Sequence, residues 1–426
     1  MHKKFSLLAM LFLVAGVFAL GSRQVNAATL TVGCPGSTYP TIQAAVTAAS
    51  PGDTILVCPG TYTEQVTIPA GKNNLTLRSK TPLGAIIKAP AVMVTPKAIV
   101  RVNGASNVKI LAFKITGPGG FGCDSLEYGV RVDNGGSALI RDNYITEIRD
   151  NPFSGCQNGV AIQVGRALEG QVGSATIVDN RIDKYQKNGI TISNTGSQAF
   201  ISENSVKGAG PTAVNAQNGI QVSSGAQAIV EENEVSDNIY TPQTFSATGI
   251  LLFEAGATRV EDNKATRNDE NIYAFHTAGP VITGNRVSDG PFDGIALTDG
   301  TTGAVVSHNS ARHNDFDGIF IDASSTNNHI TDNKLHGNGL FDAEDQSVGT
   351  GSCGTANTWE HNKCHTDNKG GCLCSHDGHD GDGEDNDDDG DHHDGHSDSN
   401  QAKDAGTQLR SATTAAAPLS RAPSPF

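Results

Sequence analysis

A Gly-apolar-x-apolar pattern returns at Gly129, Gly159, Gly189, Gly219 and Gly249, an interval of 30 residues repeated four times, and resumes at Gly294 and Gly318 with Asn271 filling the slot between. The places one and three residues on are almost all branched aliphatics: Val130 and Val132, Val160 and Ile162, Ile190 and Ile192, Ile220 and Val222, Ile250 and Leu252, Ile295 and Leu297, Ile319 and Ile321. A strand with this period-2 alternation has one apolar face and no means of burying it alone. Identical coils must therefore stack, each pairing with the next.

A second strand follows about ten residues later in each coil and ends in an Asn-x-apolar corner, at Asn143, Asn180, Asn204, Asn233, Asn263, Asn285, Asn309 and Asn333. Asn tolerates left-handed backbone geometry, and its amide can bond to the same amide one coil above and below. The corner is thus expected to be both a left-handed turn and a ladder. Coils of 22 to 30 residues with two short strands and polar corners fit an all-β solenoid whose coils rise by about 4.8 Å. The leucines of leucine-rich repeats are missing, and the density of Gly, Asn, Val and Ile excludes helical repeats.

The GI-x-I and N-x-V corners, with the opening YPTIQAAVTAASPGDTILVCPGTY (Tyr39 to Tyr62), resemble the right-handed parallel β-helix repeat proteins of the pectate-lyase-like superfamily. The resemblance implies a single right-handed parallel β-helix over residues 28–374, opened by a short helix that places Ile42, Ala45, Val46 and Ala49 on one face and caps the first coil. The superfamily contains lyases, hydrolases, epimerases, metal-assembly accessory proteins and non-catalytic surface proteins, so the fold does not choose among them. The Arg-rich signatures of its pectate lyases, the Asn-Thr-Asp and Gly-His-Gly elements of its polygalacturonases and the Asp-Pro-His-Asp of its alginate epimerases are missing here.

Residues 1–27 have a basic start, an apolar run from Phe5 to Leu20 and a small-residue exit at Ala27, the pattern of a secretory signal peptide. A secreted monomer, extracellular or periplasmic and without membrane insertion, is expected. Eight cysteines in an exported chain suggest disulfides. The expected bridges are Cys34 with Cys58 and Cys123 with Cys156, and two more among Cys353, Cys364, Cys372 and Cys374 in a pairing left open. From Ser375 to Asn400 runs a tract with ten Asp, one Glu and no apolar residue, within a chain of net charge -15. Residues 375–426 read as a disordered tail, whose His and Asp residues either chelate divalent cations weakly or keep the chain soluble. No basic stripe favours nucleic acid.

Aligning coils on the repeat gives the side chains that face outward. Two and four residues past the anchor, small polar groups give way to Leu251, Phe253, Tyr273, Phe275 and Phe320, an apolar and aromatic strip suited to stacking against sugar rings. At the next position stand Glu254, His276 and Asp299 in three consecutive coils, with Asp322 one place earlier in the fourth. Stacked at about 5 Å, an imidazole among carboxylates is the equipment of acid/base cleavage of a polysaccharide. The same residues in a non-catalytic protein are solvated turn residues. Asp293 and Asp317 occupy a turn slot held elsewhere by Asn158, Asn188 and Asn218, and adjacent carboxylates there offer a seat for Ca²⁺. The partner read from the sequence is an extracellular polysaccharide, bound and either hydrolysed or cleaved by elimination; the alternative is a non-catalytic surface-structural or metal-handling accessory protein.

Overall fold

The structure is a computed structural model describing residues 27–242 and 244–375. The signal-peptide and tail readings therefore lie outside the described residues but for Ala27 and Ser375. Every strand pairing between coils is parallel, and the strands fall into three sheets of 13, 11 and 11 strands. The anchor sheet, from Val66–Pro69 to Ala343–Asp345, carries the Gly-apolar-x-apolar strands. A second sheet runs from Thr29–Val32 to Thr358–Glu360, and a third from Gly60–Thr63 to Lys334–His336.

The register is that of the repeat except at Gly159, where the coil is shifted by two residues: Ile162, not Val160, pairs with Val130 and Ile190, and Val160 pairs with Tyr128 and Asn188. Val130, Ile162, Ile190, Ile220, Ile250, Ile272, Ile295 and Ile319 are successive partners in the anchor sheet, all fully buried. Ile110, Ile140, Ile177, Ile201, Val230, Val260, Ile282, Val306 and Ile330 form the matching column in the second sheet, and Trp359 ends it. Each buried aliphatic contributes about 1.5–3 kcal/mol relative to exposure, so a column of them locks the stack.

The asparagine corner is a ladder, as expected, but not a left-handed turn. The positive φ belongs to the residue before each Asn: Asp142 (59°), Asp179 (57°), Glu203 (55°), Glu232 (54°) and Asp262 (52°). The Asn itself points inward. Asn233 Oδ1 accepts from Asn204 N at 3.0 Å and Asn204 Nδ2 at 2.9 Å, while Asn233 Nδ2 donates to Ile201 O, Glu231 O and Asn263 Oδ1. An inward amide closes the backbone groups that a corner exposes to the core, whereas an acid at the preceding place projects into solvent. The chain of amides runs without a break from Asn143 to Asn362.

The ends are closed. The helix Ile42–Ala48 is capped by Thr41, whose hydroxyl accepts from Ala44 N, and it buries Ile42, Ala45 and Val46. At the other end Trp359, Cys364, Leu373 and Cys374 join the core. The disulfides are Cys34–Cys58, Cys123–Cys156, Cys353–Cys372 and Cys364–Cys374, and among the described residues no cysteine is free. Four disulfides indicate an oxidising, extracytoplasmic compartment. No helix among the described residues is long and apolar enough to cross a membrane.

Replacing Asn233 by Ala leaves several enclosed backbone and amide groups without partners, each costing about 1–3 kcal/mol. A loss of about 3 kcal/mol or more is expected in denaturant unfolding, against about 0.5 kcal/mol or less for the exposed neighbour Glu234→Ala.

Candidate functional site

The outer face of the anchor sheet is unusual because its side chains, though pointing away from the core, are largely buried. At its N-terminal end Arg131 and Asp133 are both fully buried. Asp133 accepts from Arg131 Nε at 2.7 Å and pairs with Arg101 Nη2 at 2.9 Å, while the Arg131 guanidinium also pairs with Glu169 and lies 4.9 Å from the Tyr128 ring centroid. Removing one member of such a buried network leaves an uncompensated charge.

From the next coil on, the face opens into a small cavity of about 170 Å³ lined by Gln163, Arg166, Lys187, Asn188, Thr191, Ser193, Gln221, Ser223 and Phe253. Amides and hydroxyls dominate. Asn188 Nδ2 donates to Thr191 Oγ1 at 2.9 Å and to Gln221 Oε1 at 3.0 Å, so these groups hold each other's orientation. Two cations enter this cavity. Arg166 extends from the turn after the strand Val160–Val164, and its Nε is buried without a protein acceptor. Lys187 is 1% exposed, donates to Ala216 O at 2.9 Å, and burial pushes its ammonium down to about 7. The sequence held no signal for Lys187, because the corresponding places are buried at Gln217 and Phe292 but only half-buried at Phe316 and exposed at Gln157.

Phe253 joins this cavity to the aromatic strip. It pairs with Phe275 across the register, with ring centroids 5.1 Å apart and planes 7° from parallel. Leu251, Tyr273, Ala296 and Phe320 lie beneath as a second apolar cluster, separate from the interior core, with Phe253 and Phe275 packed on it half-buried. The strip thus presents two rings to solvent, while Leu251, Tyr273 and Phe320 support them. Burial pushes the Tyr273 phenol up, and its oxygen accepts from Thr298 Oγ1 at 2.9 Å.

The acid/base stack is assembled at the strand ends. Glu254, His276 and Asp299 take the left-handed corner in consecutive coils, at φ 49°, 48° and 54°. His276 Nδ1 lies 2.9 Å from Asp299 O and 3.5 Å from Asp299 Oδ2, with side chains 62% and 56% exposed. Asp322 caps two turns: Oδ2 accepts from Asp299 N of the preceding coil at 2.8 Å and Oδ1 from Ser325 N of its own loop at 2.9 Å. The structure thus brings His276 and Asp299 together, holds Asp322 as a turn cap beside them, and leaves Glu254 exposed one coil away.

Asp293 and Asp317 are fully buried within a carboxylate ladder that sequence alignment had not joined to Glu270. Glu270 Oε2 accepts from Asp293 N, Asp293 Oδ1 from Asp317 N and Asp317 Oδ1 from Phe341 N, at 3.2, 3.0 and 3.0 Å. These contacts are the turn function that asparagine fills elsewhere. Another group of potential ligands, Cys123, Asp124, Asp150 and Cys156, lies within 4.8 Å. Its sulfurs are joined to each other, and Asp150 is bonded to Ser125, Ser154 and Gln186, which leaves it poor in donors for a metal.

A larger groove of about 970 Å³ follows the outer face of the second sheet past Leu139, Thr176, Phe200, Ile229 and Arg259. Its size exceeds that of the anchor-sheet cavity; its lining mixes aliphatic side chains with Ser137, Ser174, Gln198 and Gln227 and the cations Lys109 and Arg259, and holds no carboxylate.

These features define a right-handed parallel β-helix with a polar cavity and an aromatic strip on one outer face. The chain belongs to the family described as right handed beta helix region, which matches residues 167–335 and 213–380, together just over half of the sequence. Residues 52–247 also match the description periplasmic copper-binding protein (NosD). That span holds no histidine, its cysteines Cys58, Cys123 and Cys156 are all in disulfides, and its only methionine is Met93. Copper selects imidazole, thiolate and thioether, so the donors of the matched span do not fit it. No curated protein matches the sequence. Among solved structures, an alginate lyase from Paenibacillus sp. str. FPU-7 is 16% identical with a TM-score of 0.50, over 66% of this chain and 94% of that one. XylC in complex with xylose is 12% identical with a TM-score of 0.55, over 74% of this chain and 77% of that one. At these identities the likeness is one of fold.

Lys187→Met is expected to stabilise the protein at neutral pH. A lysine whose proton is held to about 7 when folded, against about 10.4 unfolded, costs nothing above the unfolded value. Its penalty grows as pH falls toward 7 and then levels off, at an order of 5 kcal/mol. The gain from Lys187→Met, read as unfolding free energy against pH, should be a few kcal/mol at pH 7 and fade towards pH 10. A lysine that stabilises the fold would give a loss at pH 7.

Proposed function

We propose that this protein binds an extracellular polysaccharide along the outer face of the anchor sheet, one sugar stacking on Phe253 and Phe275 and the next entering the cavity lined by Gln163, Asn188, Thr191 and Gln221. The observation that carries the reading is the continuity of two parallel, half-exposed rings with a cavity of mutually oriented amides and hydroxyls. Sugar rings offer an apolar face and a rim of hydroxyls, and this surface offers the complement of both. The cavity is small for a whole ligand and suits one unit of a chain that continues along the strip.

Arg166 and Lys187 favour an acidic sugar. A buried guanidinium edge complements a carboxylate in the low-dielectric setting where such pairing is strongest. Lys187, held near neutrality, exists partly as the free amine and is suited to accept the proton next to a uronate carboxylate, the step that opens elimination. Hydrolysis through His276 and Asp299, with Glu254 and Asp322 beside them, is the second reading; the imidazole–carboxylate contact at 3.5 Å favours it.

Incubation with neutral and acidic glycans separates these outcomes. Binding to a uronate polymer should weaken about tenfold or more in Phe253→Ala and in Arg166→Gln, measured by calorimetry. Unsaturated products lost in Lys187→Met mark elimination, and saturated reducing ends lost in His276→Ala mark hydrolysis. Unchanged binding of both Phe253→Ala and Arg166→Gln would remove this face as the site.

A further inference from the structure

We propose that His336 and His365 form a seat for a tetrahedrally coordinated divalent metal of the zinc class at the C-terminal end of the solenoid. The two residues are neighbours by register: Lys334 bridges to Lys363, so the positions two residues on lie side by side at the edge of the third sheet. Both rings are exposed, with centroids 5.2 Å apart and Nδ1 atoms 3.4 Å apart. Two ligands on a tetrahedral metal with metal–nitrogen bonds of about 2.0–2.1 Å are separated by about 3.3–3.4 Å. Adjacent positions of a square-planar ion need about 2.9 Å. The separation thus fits zinc as it stands and not copper.

The pair is held by its surroundings. Between the two rungs Leu335 and Cys364 point inward, and the Cys364–Cys374 disulfide ties down the strand that carries His365. Asp342 Oδ2 accepts from His365 N at 2.9 Å and so fixes the backbone that carries the second ring. Water oxygens complete four-coordination.

The test uses the full chain, stripped of metal and free of glycan, so its result is independent of the polysaccharide site. Zn²⁺ titration by calorimetry should give a site whose affinity falls about tenfold or more in His336→Ala and in His365→Ala. A full-length variant with His376, His379, His392, His393 and His396 changed to Asn should retain it. Co²⁺ in the same seat should give the intense visible bands of a tetrahedral centre, lost in His336→Ala at unchanged melting temperature. Zinc binding unaltered in both single variants, abolished in the tail variant, or a Co²⁺ spectrum of octahedral type would each overturn the proposal.

Discussion

The hydrogen-bonded register between successive coils is the interaction on which everything else in this protein rests. Each rung adds little alone, but every inward aliphatic meets its counterpart above and below, and the amide ladder from Asn143 to Asn362 closes the corner of each coil on the next. Because the coils neither slip nor rotate, a position in the repeat becomes a fixed line on the surface. Function in such a molecule is written along those lines, and an alteration in one coil is felt by its two neighbours.

On the anchor sheet that geometry places charged and polar groups in a setting normally reserved for a core. Arg131 with Asp133, and Lys187 inside an amide-lined cavity, are buried at a cost in desolvation that hydrophobic residues would avoid. The Arg131 network answers its cost with close pairing. Lys187 does so less completely, as its lowered proton affinity records. The carboxylates Glu270, Asp293 and Asp317 are equally buried yet bond in sequence to backbone N–H groups, which is the structural use of the same residue types.

The closed ends serve a different need. Unpaired strand edges invite association with other chains, and here a capping helix at one end and Trp359 with two disulfides at the other remove the exposed core. Trp359 replaces the aliphatic of its column and donates from Nε1 to Asp345 Oδ2 at 2.8 Å, so the last rung ends in a satisfied polar contact. The C-terminal cap also brings exposed His336 and His365 into one place.

The sequence by itself determined the solenoid, its inward columns and the register of all but one aligned coil; at Gly159 the alternation Val160, Ile162, Val164 fits two registers a pleat apart, and the structure sets Ile162 against Val130. It also placed Phe253 over Phe275 and His276 over Asp299, since both follow from the same alignment. It misassigned the left-handed turn to the asparagines, because at a corner the choice between Asn and the acid before it depends on which side chain faces the core. What only the tertiary structure decided was depth: that Leu251, Tyr273 and Phe320 are buried supports, that Asp293 and Asp317 belong to a ladder with Glu270, and that Arg166 and Lys187 share a cavity. Burial on the outer face is set by turns and loops folding back over the strands, and those segments vary in length from coil to coil, so the repeat carries no record of where they lie.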